Sequence, residues 1–112
     1  MKLISSTSIT GLLTVTILQS QYSVLVGQQI TMTCTVSGTP TQTSVFWRKT
    51  DNNVQTDVDV NGNNRYSGAT TTNPSLTITN SQLSDEGTYT CYATNSVGTS
   101  NSQTTFLDIT GG

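Results

Sequence analysis

Two cysteines and one tryptophan constrain this chain more than any other residues. Cys34 and Cys91 lie far apart in the sequence, with Trp47 between them. In a small chain rich in strand-forming residues, two cysteines read as one disulfide, which implies an oxidising compartment. The alternative is a pair of reduced, buried thiols. Closing a loop of about 56 residues removes enough chain entropy to contribute roughly 4 kcal/mol, a large share of a small domain's stability. Trp47 is the only side chain large enough to pack broadly over such a bridge. The second cysteine ends the run Leu83-Ser84-Asp85-Glu86-Gly87-Thr88-Tyr89-Thr90-Cys91. Tyr89 shares a strand face with Cys91, two residues on, and its hydroxyl can reach back to nearby backbone. Gly87 permits a tight corner into that strand.

The remainder supports one domain with one core, since the chain has only 112 residues. About a fifth of them are threonine, whose branched side chain suits a pleated strand and resists helix. Regular apolar alternation between the threonines argues against a low-complexity linker. Thr14 to Leu18 alternates as a first strand, and Tyr22, Val24 and Val26 resume the pattern on the other sheet. Ile30, Met32, Cys34 and Val36 place four side chains inward in strict alternation. Strands follow at Thr43 to Lys49 and Val54 to Val60, with turns at Asp51-Asn52-Asn53 and a hairpin signal at Asn61-Gly62. Arg65-Tyr66-Ser67 opens another, Leu76 and Ile78 face inward, Leu83 is expected to plug the corner before Tyr89, and Thr105 to Ile109 closes the set.

The spacing Cys34…Trp47…Leu76…Asp85-x-Gly87-x-Tyr89-x-Cys91 resembles an immunoglobulin domain, and the likeness runs from about Val15 to Ile109. It implies an all-β Greek-key sandwich of two antiparallel sheets joined by a Cys34–Cys91 disulfide, with Trp47, Tyr89, Leu76 and Leu83 in the core. Thr105-x-Leu107-x-Ile109 resembles the ending of intermediate-set domains, and the F-G-x-G of antigen-receptor variable domains is missing. Arg65-Tyr66-Ser67-Gly68, however, resembles the R-F-S-G of variable domains, where the arginine pairs with the aspartate at the corner. The resemblance therefore implies an Arg65–Asp85 salt bridge. Asn95-Ser96-Val97-Gly98 resembles the A-x-N-x-x-G of cell-adhesion and receptor modules. The domain is placed at 12–110, with 1–11 a leader, linker or vector-derived segment and 111–112 a linker end. Met1 to Leu18 is a poor signal peptide, because Ser5, Ser6, Thr7, Ser8 and Thr10 interrupt its apolar stretch.

Composition argues against several chemistries. The net charge is −2 with four Lys+Arg, which offers no footprint for nucleic acid or anionic lipid. Histidine is absent, removing imidazole ligands and the usual general base. Asp57-x-Asp59-x-Asn61-Gly62 matches half of a calcium-loop signature, but the twelfth position, where a bidentate carboxylate is needed, is Gly68. No hydroxyl has a neighbouring activating pattern, so no enzyme, metal or cofactor is expected. The one Asn-x-Ser triplet, Asn73-Pro74-Ser75, carries the proline that forbids glycosylation.

Strand parity supplies a candidate interface. If Trp47, Cys91 and Leu107 point inward, then Phe46, Tyr92 and Phe106 point outward on one sheet, sharing that face with Arg48 and Thr90. Three of seven aromatic residues on one solvent face make a candidate contact patch, because aromatics and arginine dominate interface energetics. The loops Ser37–Gln42 and Thr94–Asn101 are a weaker candidate, being small, neutral and polar. The expected function is an extracellular recognition or adhesion module of an adhesion molecule or a receptor, such as a receptor tyrosine kinase. Its partners would be proteins, homophilic or heterophilic, with a weak homodimer included and membrane attachment only through the parent chain. The rivals are a spacer in a tandem array and an intracellular muscle-type module with reduced cysteines.

Overall fold

The computed structural model describes residues 11–62 and 64–111. The proposed leader, apart from Gly11, and the final Gly112 lie outside the described residues. Alternating β-branched and polar positions become strands in two facing layers. The strands are β1 (Thr14–Ile17), β2 (Gln21–Leu25), β3 (Ile30–Met32), β4 (Cys34–Ser37), β5 (Ser44–Asp51), β6 (Val54–Asp57), β7 (Tyr66–Gly68), β8 (Leu76–Ile78), β9 (Gly87–Thr94), β10 (Thr99–Asn101) and β11 (Thr105–Thr110). The larger layer runs β2-β11-β9-β5-β6, with β10 also on β9. Within it β2 is parallel to β11, and the other pairs are antiparallel. The opposing layer holds β3-β8-β7 and β1-β4.

The core lies where the two layers meet. Cys34 and Cys91 form the disulfide between the layers. Trp47 is the cross-strand neighbour of Cys91, is fully buried, and donates its indole N–H to the Pro74 carbonyl at 2.8 Å. That bond satisfies the one polar atom of the largest core side chain. Met32, Leu76, Ile78, Ala93 and Leu107 fill the space around it. The run from Ile30 to Ser37 is one strand in the sequence but two in space, divided at Thr33. The Thr33 amide donates to the Tyr22 hydroxyl at 3.0 Å, so a buried tyrosine from the opposite layer takes the place of a ladder partner.

Three expectations need correction. Leu83 is not in the core but 64% exposed. It opens a single 3-10 turn, Leu83–Asp85. At three residues per turn, side chains two apart point about a third of a turn away from each other, so with Asp85 turned inward Leu83 falls on the solvent side. The strand expected to reach Val60 stops at Asp57. Asp59 there accepts the Gly62 amide at 2.8 Å, a local bond that bends the chain away from the ladder. The Asn61-Gly62 pair accordingly joins no hairpin, since β7 pairs with β8 in the other layer. The two-residue hairpin turn is instead Asn52-Asn53, both left-handed at φ 52° and 66°, between β5 and β6.

Two substitutions probe this framework. Gly68 has φ +85°, and a Cβ there would sit 2.0 Å from the Ser75 carbonyl oxygen. Gly68→Ala is expected to cost more than about 2 kcal/mol in urea denaturation, because both conformation and space oppose it. Thr105, by contrast, is fully buried, and its hydroxyl has no hydrogen-bond partner among the described residues. Thr105→Val removes an unpaid desolvation cost, so its unfolding free energy should equal or exceed that of the parent by up to about 1 kcal/mol.

Candidate protein-contact face

The outward face of the larger layer is built by β5 and β9 in register. Phe46 is the cross-strand neighbour of Tyr92, and Arg48 of Thr90. The Phe46 and Tyr92 rings stack with centroids 5.0 Å apart and planes 4° from parallel. The Arg48 guanidinium lies over both, 5.2 Å from the Phe46 centroid and 4.9 Å from that of Tyr92. Asp57 on β6 accepts from Arg48 Nε at 2.8 Å, and Gln55 donates to the Tyr92 hydroxyl at 3.3 Å. Cation–π contact of this kind is worth about 0.5–1 kcal/mol at an exposed site, and the exposed ion pair no more than about that. Their effect is to hold three large side chains in one arrangement while leaving them half-exposed.

Phe106 shares the face but not the cluster. It sits across from Thr88, four residues before Tyr92, which is roughly 13 Å along a strand. Thr90 is on the same face yet buried. Parity thus assigned the side of the sheet, but could not assign height along it or cover by neighbours.

A second cluster lies at the corner that leads into β9. The Asp85 carboxylate is buried and receives Arg65 Nη1 at 2.7 Å, Arg65 Nη2 at 3.1 Å, the Tyr66 hydroxyl at 2.7 Å and the Gln82 amide at 2.8 Å. The Tyr89 hydroxyl donates to the Asp85 carbonyl at 2.5 Å. Burial alone would raise the carboxyl pKa, but the Arg65, Gln82 and Tyr66 donors together outweigh it and hold it below the ordinary value. This cluster braces β7 to β9 around a buried carboxylate, with Arg65 and Tyr66 left partly exposed.

Asn95 was not singled out from the sequence, although the adhesion-like Asn95-Ser96-Val97-Gly98 stretch contained it. Its buried side chain donates to the Gly11 carbonyl at 2.8 Å and the Pro40 carbonyl at 3.0 Å, and accepts from the amides of Val97 at 3.0 Å and Gly98 at 3.1 Å. One residue thereby binds the entering chain and both loops at that end. The loops form a braced platform. Asp59, from the partial calcium signature, spends one oxygen on Gly62, and among the described residues no three metal-binding side chains gather.

The immunoglobulin I-set domain model matches residues 13–107. The chain belongs to the immunoglobulin I-set family. The I-set domain is 42% identical over 84 residues to tyrosine-protein phosphatase Lar of Drosophila melanogaster, spanning 75% of this chain and 4% of that protein. It is 29% identical over 95 residues to neural cell adhesion molecule 1 of Mus musculus, spanning 85% of this chain and 8% of that protein. The solved tandem Ig repeats of Dlar superpose with a TM-score of 0.71 at 36% identity, covering 88% of this chain and 49% of that one. Domain 1 of VCBP3 from Branchiostoma floridae has a TM-score of 0.72 at 18% identity, over 88% and 95% of the two chains, and shows the fold alone. The I-set domain thus spans under a tenth of the two whole relatives and about half of the tandem structure.

The Arg65–Asp85 pair gives this I-set domain a pH dependence of definite sign. Asp85 titrates lower folded than unfolded, so its contribution is complete above the unfolded value, about 4, and is lost as pH falls through the folded one. Asp85→Asn should cost about 2 kcal/mol at pH 7, because it removes the buried charge that accepts from Arg65, Tyr66 and the Gln82 amide. It should also flatten the fall in stability below pH 4, read from denaturation midpoints at pH 7 and pH 3.

Proposed function

We propose that this I-set domain is a non-catalytic, extracellular recognition module, and that it meets its protein partner through the outward face carrying Phe46, Arg48 and Tyr92. The observation that carries the reading is the stacked trio itself. Large side chains normally lose rotamer freedom when an interface forms, at about 0.5–1.5 kcal/mol each. Here Arg48 and Asp57 already hold Phe46 and Tyr92 in place, so part of that cost falls on folding rather than on binding. Aromatic and arginine side chains in a fixed, half-exposed cluster have the composition of an interface centre.

The relatives support a receptor or adhesion parent. One is a neural cell adhesion molecule and one a receptor protein tyrosine phosphatase, which favours a phosphatase-type over a kinase-type receptor. The disulfide supports an oxidising, extracellular location. Contact would be homophilic or heterophilic, and a homodimer through this face alone would be weak. Attachment to a membrane would come from the parent chain; among the described residues no helix is long and apolar enough to cross one. The second reading, a spacer in a tandem array, draws on the tandem Dlar structure.

Phe46→Ser and Tyr92→Ser separate the two. Both side chains are half-exposed, so the variants should remain folded. As a recognition face, the parent domain should show concentration-dependent association by light scattering, or partner binding, that either variant weakens by at least about tenfold, or about 1.4 kcal/mol. Association or binding unaltered by both variants removes this face and favours the spacer.

A further inference from the structure

Four asparagines in this chain precede a small residue: Asn61-Gly62, Asn80-Ser81, Asn95-Ser96 and Asn101-Ser102. In each, the following backbone nitrogen can close a five-membered ring on the side-chain carboxamide carbon. The fold opposes that closure at three of them. The Asn95 side chain is buried and bonded to four backbone groups. The Ser81 and Ser102 amides donate to the Gln28 carbonyl at 3.1 Å and the Cys91 carbonyl at 2.8 Å, and both serines are buried. The fourth pair is placed differently. Asn61 and Gly62 are exposed and belong to no strand, beyond the end of β6. Gly62 has no side chain to keep another group from its nitrogen.

We propose that Asn61-Gly62 is a site of spontaneous deamidation, and that the Asp59 carboxylate slows it by restraining the attacking nitrogen. The reaction needs only water and hydroxide. Hydroxide takes the Gly62 amide proton, the nitrogen bonds to Asn61 Cγ, and the carboxamide C–N bond breaks, its nitrogen leaving as ammonia with a proton from water. Water then opens the succinimide at one carbonyl or the other, leaving aspartate or isoaspartate in place of Asn61. In the folded domain the first proton is engaged, because the Gly62 amide donates to Asp59 Oδ1 at 2.8 Å. A Cβ on Gly62 would collide with the same carboxylate, so the acid group lies close against this residue. A hydrogen bond made by the N–H form and a negative charge beside it both disfavour loss of the proton. A carboxylate is itself far too weak a base to remove it. The product adds one negative charge to a protein of net charge −2. Asn61 lines a cavity of about 280 Å³ together with Phe46, Val58 and Val60, so the new carboxylate arises beside the proposed contact face. The chemistry itself does not depend on what that face binds.

Peptide mapping by mass spectrometry, on the 112-residue chain held for weeks in mildly alkaline buffer, follows the reaction and separates isoaspartate from aspartate. Asn61 should be modified before any other asparagine. Asp59→Ala, at an exposed position, should keep the parent's melting temperature and raise the rate at least about fivefold, the scale of one hydrogen bond to a charged group. In urea the parent and Asp59→Ala should react at equal rates, both faster than the folded parent, because the contact is lost in each. The urea comparison of folded with unfolded parent holds even if the variant does not fold. Another asparagine reacting first overturns the inference. So does an Asp59→Ala rate no higher than the parent's in the folded state, or a difference between the two that persists in urea. Phe46→Ser should leave the rate unchanged, so failure of the recognition face and failure of this site are read separately.

Discussion

The alignment of β9 with β5 is the constraint on which the other features depend. Cys91 faces Trp47 across that pair, and both must point inward, one to reach Cys34 and the other to bring its indole N–H to Pro74. A strand slipped by one residue would reverse every side chain along it. The disulfide and the indole hydrogen bond each forbid that slip, and they act on neighbouring residues. Once those two point inward, Phe46 and Tyr92 have no choice but to point outward and to lie opposite each other. The stacked pair on the surface is therefore a consequence of the most buried contact in the domain.

The corner cluster works by a different principle. Breaking a buried ion pair by removing one member is costly, but the intact pair stabilises less than its geometry suggests, because both groups have left water. Its effect here is positional. Arg65 reaches from the segment before β7 into the turn before β9, and Tyr66 and Gln82 complete the carboxylate's hydrogen bonds. The turn is thus held in one orientation, and Tyr89 adds a bond to the same residue's backbone. The exposure of Leu83 follows from that orientation. An apolar residue at a turn looks like a core plug in sequence, yet the buried position two residues later goes to a charged one.

Much of the architecture was legible because it rests on rules of spacing. Alternation placed the inward residues of β5, β8, β9 and β11, and the cysteines, Trp47 and Tyr89 specified the family. What spacing could not supply was competition between neighbours. The break at Thr33 depends on a tyrosine eleven residues away, with no local mark. Asn61-Gly62 has the residues of a hairpin turn, but the strands it would join belong to different layers. Phe106 has the right parity and the wrong height. For the candidate face, therefore, sequence identified the side of the sheet on which Phe46, Arg48, Tyr92 and Phe106 lie, whereas only coordinates could show that three of them form one unit.

The surface is otherwise dressed in threonine, serine and asparagine, with 9% charged residues. Such a skin hydrates well but offers neither a strong field to steer a partner nor large apolar area to hold one. Binding energy on this protein must then be local. The aromatic-arginine stack on the side breaks the pattern as one packed unit, whereas exposed aliphatic side chains such as Leu12, Leu18, Val54 and Leu83 are spread over separate parts of the surface. The stack has polar edges, a cation and two flat rings, which suit a partner that must be met from solution and released again.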